Sequence, residues 1–213
     1  MASLTDNDNG ANRKAVTKAV SSSPTIPKIP SYQNVQDIEF VEYIPPTDTV
    51  AMSKVVGSIL NKLCSNKPCG NFGISSSIPL YRCFSKENLP KISLEDYCNR
   101  ILKFGKISTA TLVQSIIYID KIITQHPQLL TIRTVHRLLL SSIIVSAKFI
   151  DDHHLTNTNF ARIFGVKLNE LNTLEVQFCK LMSFSLFTPV TTFNKYWRTI
   201  HSLAENVGVC DDE

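Results

Sequence analysis

Val135-His136-Arg137-Leu138-Leu139-Leu140-Ser141-Ser142-Ile143-Ile144-Val145-Ser146-Ala147-Lys148 contains ten consecutive residues, 138–147, that are uncharged and either apolar or small. A surface helix confines its apolar side chains to one stripe, so a helix that is apolar on every face is one enclosed by others. The run is too short for a bilayer, which needs about 20 apolar residues. Ser141, Ser142, Ser146 and Ala147 are small enough to let neighbouring helices approach the backbone closely. The segment reads as the central rod of an all-helical domain, from about Thr134 to Asp151, and Lys148 ends its apolar run.

Helical periodicity continues on both sides. Upstream, Val55, Val56, Ile59, Leu60 and Leu63 recur at helical spacing, followed by a loop containing Pro68, Gly70 and Gly73. Ser93 opens the next helix with Asp96 three residues on, and Ile92 and Tyr97 form a hydrophobic staple. Ser108 repeats the device, with Ile107 facing Leu112; that helix carries Leu112, Ile116, Ile119 and Ile123 and closes at His126-Pro127. Beyond the rod, a short helix from Asn157 to Phe164 ends at Gly165, a good C-terminal cap residue. The next runs from Lys167 to Met182 with Leu168, Leu171, Leu174, Phe178 and Leu181 in line, and a last amphipathic piece covers Thr192 to about Ala204. No strand-like alternation competes between 93 and 182. The fold class is all-α.

The breakers mark out the domain. Eight of the ten prolines precede residue 91, and only Pro127 falls between 91 and 188. Residues 1–48 are polar and punctuated by proline, so a disordered tail is expected there, Ser23-Pro24 being an ordinary linker dipeptide or a proline-directed phosphate acceptor. With 213 residues and 43% hydrophobic content, the chain can still bury one sizeable core. Met1-Ala2-Ser3-Leu4-Thr5-Asp6 has neither a basic nor an apolar leader region, and the six cysteines form no Cys-x-x-Cys pair. Reduced thiols in a cytoplasmic or nuclear protein are therefore expected, with neither a disulfide framework nor a membrane span.

Four charges do not fit their helices. Glu175 lies four residues after Leu171 and three before Phe178, and Asp120 lies four after Ile116 and three before Ile123. Arg100 follows Tyr97 by three, and Lys148 ends the rod. A charge at a core position is costly unless partnered inside the domain or at an interface.

The motifs in which these charges sit carry a family likeness. Tyr97-x-x-Arg100, Tyr118-Ile119-Asp120-Lys121, His136-Arg137-Leu138-Leu139, Ala147-Lys148-Phe149-x-Asp151-Asp152, Asn157-x-x-Phe160-Ala161-x-x-x-Gly165 and Glu170-Leu171-Asn172-x-Leu174-Glu175-x-x-Phe178 occur in that order. Their spacing resembles the P-type, or U-type, cyclins, the branch that includes the phosphate-signalling cyclins. The likeness covers roughly 50–188 and is densest from Ser93 to Leu186. It implies a single cyclin box, five helices around the central one with an N-terminal helix before them. The chain then divides into a tail over 1–48, a box with its N-terminal helix over 49–190, and a C-terminal helix and tail over 191–213.

The same resemblance implies the function. Cyclins bind and activate a cyclin-dependent kinase and contribute no catalytic group or cofactor. By this alignment Lys148 and Glu175 pair on the kinase-facing surface and hold backbone beside the kinase's movable C-helix. Phe149, Phe184 and Leu186 match apolar contacts for that helix, and Asp152 matches an acidic residue that meets an arginine of the activation segment. Arg100 and Asp120 match an internal ion pair joining the first two box helices. The sequence departs from the cell-cycle substrate-docking patch, reading Asn99-Arg100-Ile101-Leu102-Lys103-Phe104 there. Phe164 replaces a usual glycine, and Lys121 a commoner arginine.

Other classes account for less. A helical nucleic-acid-binding or transcription-machinery module would concentrate Lys and Arg along one helix. Here a net charge of +4 is scattered, and Asp151, Asp152 and Glu170 oppose a polyanion, so no nucleic-acid partner is expected. A kinase-binding inhibitor or scaffold would use the same face as an activator. Asp151-Asp152-His153-His154 offers metal-capable side chains, but consecutive loop residues point in different directions, so no metal is assigned. With seven glycines and no Gly-x-Gly run, there is no phosphate cradle. His136, at a helix start, reads as a structural histidine.

Overall fold

The computed structural model describes residues 49–65, 79–86 and 88–208. Among these the chain forms eight helices and no strand. They are α1 (Thr49–Ser65), α2 (Pro79–Arg82), α3 (Leu94–Gly105), α4 (Thr109–Gln125), α5 (Val135–Ile150), α6 (Asn157–Phe164), α7 (Leu168–Leu181) and α8 (Val190–Gly208). The expected tail over 1–48, the loop signals Pro68, Gly70 and Gly73, and Cys69 and Cys210 lie outside the described residues.

α5 is the rod that its composition demands. Every residue from Leu138 to Ala147 is buried, with α4 and α7 packed along it. Two of its three serines reconcile close packing with polar satisfaction, while the Ser146 hydroxyl is buried without a partner. The Ser142 hydroxyl donates to the Ser115 carbonyl of α4 at 2.6 Å, and that of Ser141 to the Arg137 carbonyl at 2.8 Å. The remaining helices pair around this axis: α1 lies against α3 and α8, α4 against α8, and α6 against α3 and α7.

Local chemistry sets the boundaries. Ser93 accepts from the Asp96 N–H at 3.0 Å and Ser108 from the Thr111 N–H at 3.1 Å, so both expected caps are made. Gly165 ends α6 at φ 69°, and the His126 N–H closes α4 on the Ile122 carbonyl. Ser108 also donates to the Asp151 carboxylate at 2.7 Å, tying the start of α4 to the end of α5.

Three features differ from the sequence expectation. The connection before α3 contains α2, and Tyr81 and Phe84 enter the core, with the Tyr81 hydroxyl 2.7 Å from His126 Nδ1. One helical turn carries no periodicity of its own, so only tertiary contact reveals it. Leu63 and Leu168 are exposed rather than in the stripe, because periodicity runs into a helix's terminal turns whether or not a neighbour reaches that far. Arg137 is the third. It pairs with Glu170 of α7 and donates to the carbonyls of Cys83 and Ser85, clamping the α2–α3 connection onto two helices.

His136 is structural, as its position suggested. Its Nε2–H donates to the Ile92 carbonyl at 3.2 Å, its ring lies 5.3 Å from that of Tyr97, and Nδ1 is buried without a partner. Burial holds its pKa below the ordinary 6.5. The unfolded chain therefore binds the proton more readily. The resulting stability is full above pH 6.5 and is lost as pH falls from there through the folded value. Denaturant titrations from pH 8 to pH 5 should show wild type losing more stability than His136→Gln; parallel curves would refute the assignment.

Candidate functional site

At the C-terminal end of α5 the rod meets solvent. Lys148 occupies its last turn, where the helix dipole favours a cation. Its ammonium lies 2.6 Å from Glu175 Oε1 on α7, with side-chain exposures of 32% and 19%. That is open enough for another molecule to reach. The second Glu175 oxygen accepts from Asn157 Nδ2 of α6 at 2.8 Å, and the same amide donates to Asn172 at 2.8 Å. Glu175 is thus held from two helices, while Lys148 uses one of its three N–H donors on this carboxylate.

Apolar side chains flank the pair. Phe149 follows Lys148 and Val176 follows Glu175, both about half exposed. One turn further along α7, the Cys179 carbonyl accepts from the Phe184 N–H at 2.9 Å, which brings the start of the following turn to the same edge. Burial, then the nearby Glu175 carboxylate, pushes the Cys179 thiol up.

That turn has an unusual backbone. The Ser183 N–H bonds to the Lys180 carbonyl and the Phe184 N–H to that of Cys179, the paired closure usually built on glycine. Here Ser183 and Phe184 hold positive φ, 49° and 57°, and Phe184 and Phe187 are left 69% and 71% exposed. A side chain in the left-handed region costs roughly 1–2 kcal/mol. Ser183→Gly should therefore raise unfolding stability by about 1 kcal/mol, as read by denaturant melts. No gain would mean that the turn is not strained at this residue.

α4 supplies the restraint. Tyr118 donates its hydroxyl to the Leu186 carbonyl at 2.7 Å, Lys121 its ammonium to the Ser185 carbonyl at 3.1 Å, and Gln114 its amide to Thr188 Oγ1 at 2.6 Å. Burial pushes the Tyr118 phenol up to about 12, so it remains a donor at physiological pH.

The structure pairs Lys148 with Glu175 and leaves Phe149 and Phe184 exposed. Asp152 is exposed just beyond Asp151, the C-cap of α5. The Leu186 side chain is partly buried against the core, and its carbonyl accepts from Tyr118. The Arg100–Asp120 pair is not made. Arg100 is exposed, and the charged pairs among the described residues do not join it to Asp120. Asp120 accepts instead from the Tyr196 hydroxyl of α8 at 2.7 Å, since α4 packs against α8. A second ion pair, Arg137–Glu170, joins α5 to α7 alongside Lys148–Glu175. Asn157, Gln114 and Phe187 were also missed. Gln114, Tyr118 and Lys121 at i, i+4 and i+7 were a legible polar row within an apolar helix.

Among the described residues no group of three His, Cys, Asp or Glu is arranged to hold a metal, and no helix is long and apolar enough to cross a membrane. A cyclin family model matches residues 3–186. The chain belongs to the cyclin family. It is 35% identical to Cyclin-U4-2 of Arabidopsis thaliana over 114 residues, 53% of each chain. To Cyclin-U2-1 of the same plant it is 30% identical over 146 residues, 67% of this chain and 66% of the relative. To Cyclin-P4-1 of Oryza sativa subsp. japonica it is 36% identical over 114 residues, 53% of this chain and 54% of the relative. The chain thus spans about half to two thirds of the length of these curated relatives. The U-type and P-type names agree with the branch that the motifs suggested, and cyclins are regulatory proteins rather than enzymes.

Proposed function

We propose that this cyclin is the regulatory subunit of a cyclin-dependent protein kinase, acting in the cytoplasm or nucleus, and that it binds and activates the kinase by docking on its C-helix and activation segment. The observation that carries this reading is the Lys148–Glu175 pair at the solvent end of the buried rod, flanked by exposed Phe149 and Phe184. A charged pair with exposed aromatic residues on or just after the same elements suits a partner that brings both backbone polar groups and apolar side chains. Lys148 keeps donors for backbone carbonyls, the two phenylalanines offer an apolar rim, and Asp152 stands ready for an arginine of the activation segment. Activation then follows from a population shift. Docking favours the kinase state in which its own lysine–glutamate pair is formed, and only by the difference in affinity between the two states.

Affinity purification of the tagged full chain from its native cells, followed by mass spectrometry and a protein-kinase assay on the eluate, tests this. A co-purifying cyclin-dependent kinase with activity is expected. A bound but silent kinase would make the protein an inhibitor or scaffold. Nucleic-acid machinery in its place would overturn the proposal.

A further inference from the structure

The turn after α7 holds a bulky aromatic residue in a backbone conformation that such residues avoid. A conformation of this kind persists only where its surroundings over-determine it, and here the source of the constraint is visible. Three donors from one face of α4, Gln114, Tyr118 and Lys121, reach three successive points of the turn: Thr188, the Leu186 carbonyl and the Ser185 carbonyl. Gln114 is itself buried, so its bond to Thr188 lies in a poorly solvated place where bonding to a fixed partner matters most. The result is a turn whose polar backbone faces α4 while the Phe184 ring stays outside, 69% exposed. Left to itself, an exposed Phe would fold back onto apolar surface and relax its φ.

We infer that Gln114, Tyr118 and Lys121 are positioning residues, which lock the Ser183–Thr188 turn in the conformation that presents Phe184 and so set how tightly the kinase is held. This rests on the kinase-docking reading above, and adds to it a group of residues that never touches the partner. The affinity follows from preorganisation. If the turn is competent in only a tenth of the molecules once a pin is lost, the apparent Kd rises about tenfold with every contact residue intact.

Tyr118→Phe removes one hydroxyl and leaves the ring buried against Phe178, and Lys121→Met removes the outermost pin. Each is compared with wild type for affinity toward the kinase recovered by purification, for melting temperature, and for amide exchange at residues 184–187. A roughly tenfold weaker Kd and faster local exchange, at a melting temperature within a few degrees of wild type, are expected for Tyr118→Phe, and a smaller effect in the same direction for Lys121→Met. A double-mutant cycle separates positioning from general loosening. In a Phe184→Ala background, Tyr118→Phe should cost no further affinity, because the side chain it positions is gone. Additive losses, or unchanged affinity and exchange in both single variants, would overturn the inference while leaving the kinase reading intact. Failure of wild type to bind any cyclin-dependent kinase would overturn both.

Discussion

Lys148→Ala is expected to weaken binding of the kinase by about 2–5 kcal/mol, some thirtyfold to several thousandfold, while lowering folding stability by no more than about 1 kcal/mol. The asymmetry comes from solvent. In the free protein the pair with Glu175 sits at a rim, and water rehydrates whichever charge is left. In the proposed complex a docked helix would cover the rim, and the remaining Glu175 carboxylate would be desolvated with only Asn157 to satisfy it. Calorimetric titration against the kinase, beside a thermal melt of the free variant, measures both quantities. Binding within threefold of wild type would show that the face lies elsewhere. A melting temperature far below wild type would show that the pair belongs to the fold. Conversely, Arg137 and Glu170 hold the fold, and their variants should fail in the melt before they fail in binding.

Gly57→Ala is expected to destabilise the free protein by about 3 kcal/mol, at the upper end of what overpacking costs. A Cβ at this position in α1 would lie 2.6 Å from the Glu95 nitrogen and 2.7 Å from its Cα, both backbone atoms that cannot turn aside. One turn further on, Asn61 donates its amide to the Glu95 carboxylate at 2.8 Å, so the same face of α1 both admits the start of α3 and grips it. A methyl group would push the two helices apart and strain that bond. Chemical denaturation gives the stability directly. A loss below about 0.5 kcal/mol would mean that α1 shifts freely on α3.

How much of this is legible in the sequence depends on the range of the interaction responsible. Ser93, Ser108 and Gly165 mark helix ends through contacts within a few residues, and each boundary can be read from its own neighbourhood in the chain. The rod can be read as well, since ten residues without a charge have one environment available to them. Lys148 and Glu175 stand out because each breaks an apolar pattern, and they meet where α5 and α7 pack. Asp120 breaks its pattern in the same way, yet its partner is a tyrosine on α8 and not an arginine on α3. An odd charge shows that a partner exists without saying on which helix. Gly57 leaves no mark in the sequence, because a glycine needed for close approach looks like any other.

The all-α class, most helix boundaries, the buried axis and the charges that need partners can all be read along the chain, because each follows from contacts between near neighbours or from hydropathy. Only the packed molecule shows that Arg137 rather than Arg100 pairs with a carboxylate, that α3 seats on a bare glycine, and that α4 hydrogen-bonds the turn after α7. These depend on which face of one helix meets which face of another. That is settled by packing the whole core at once, and no local stretch of chain encodes it.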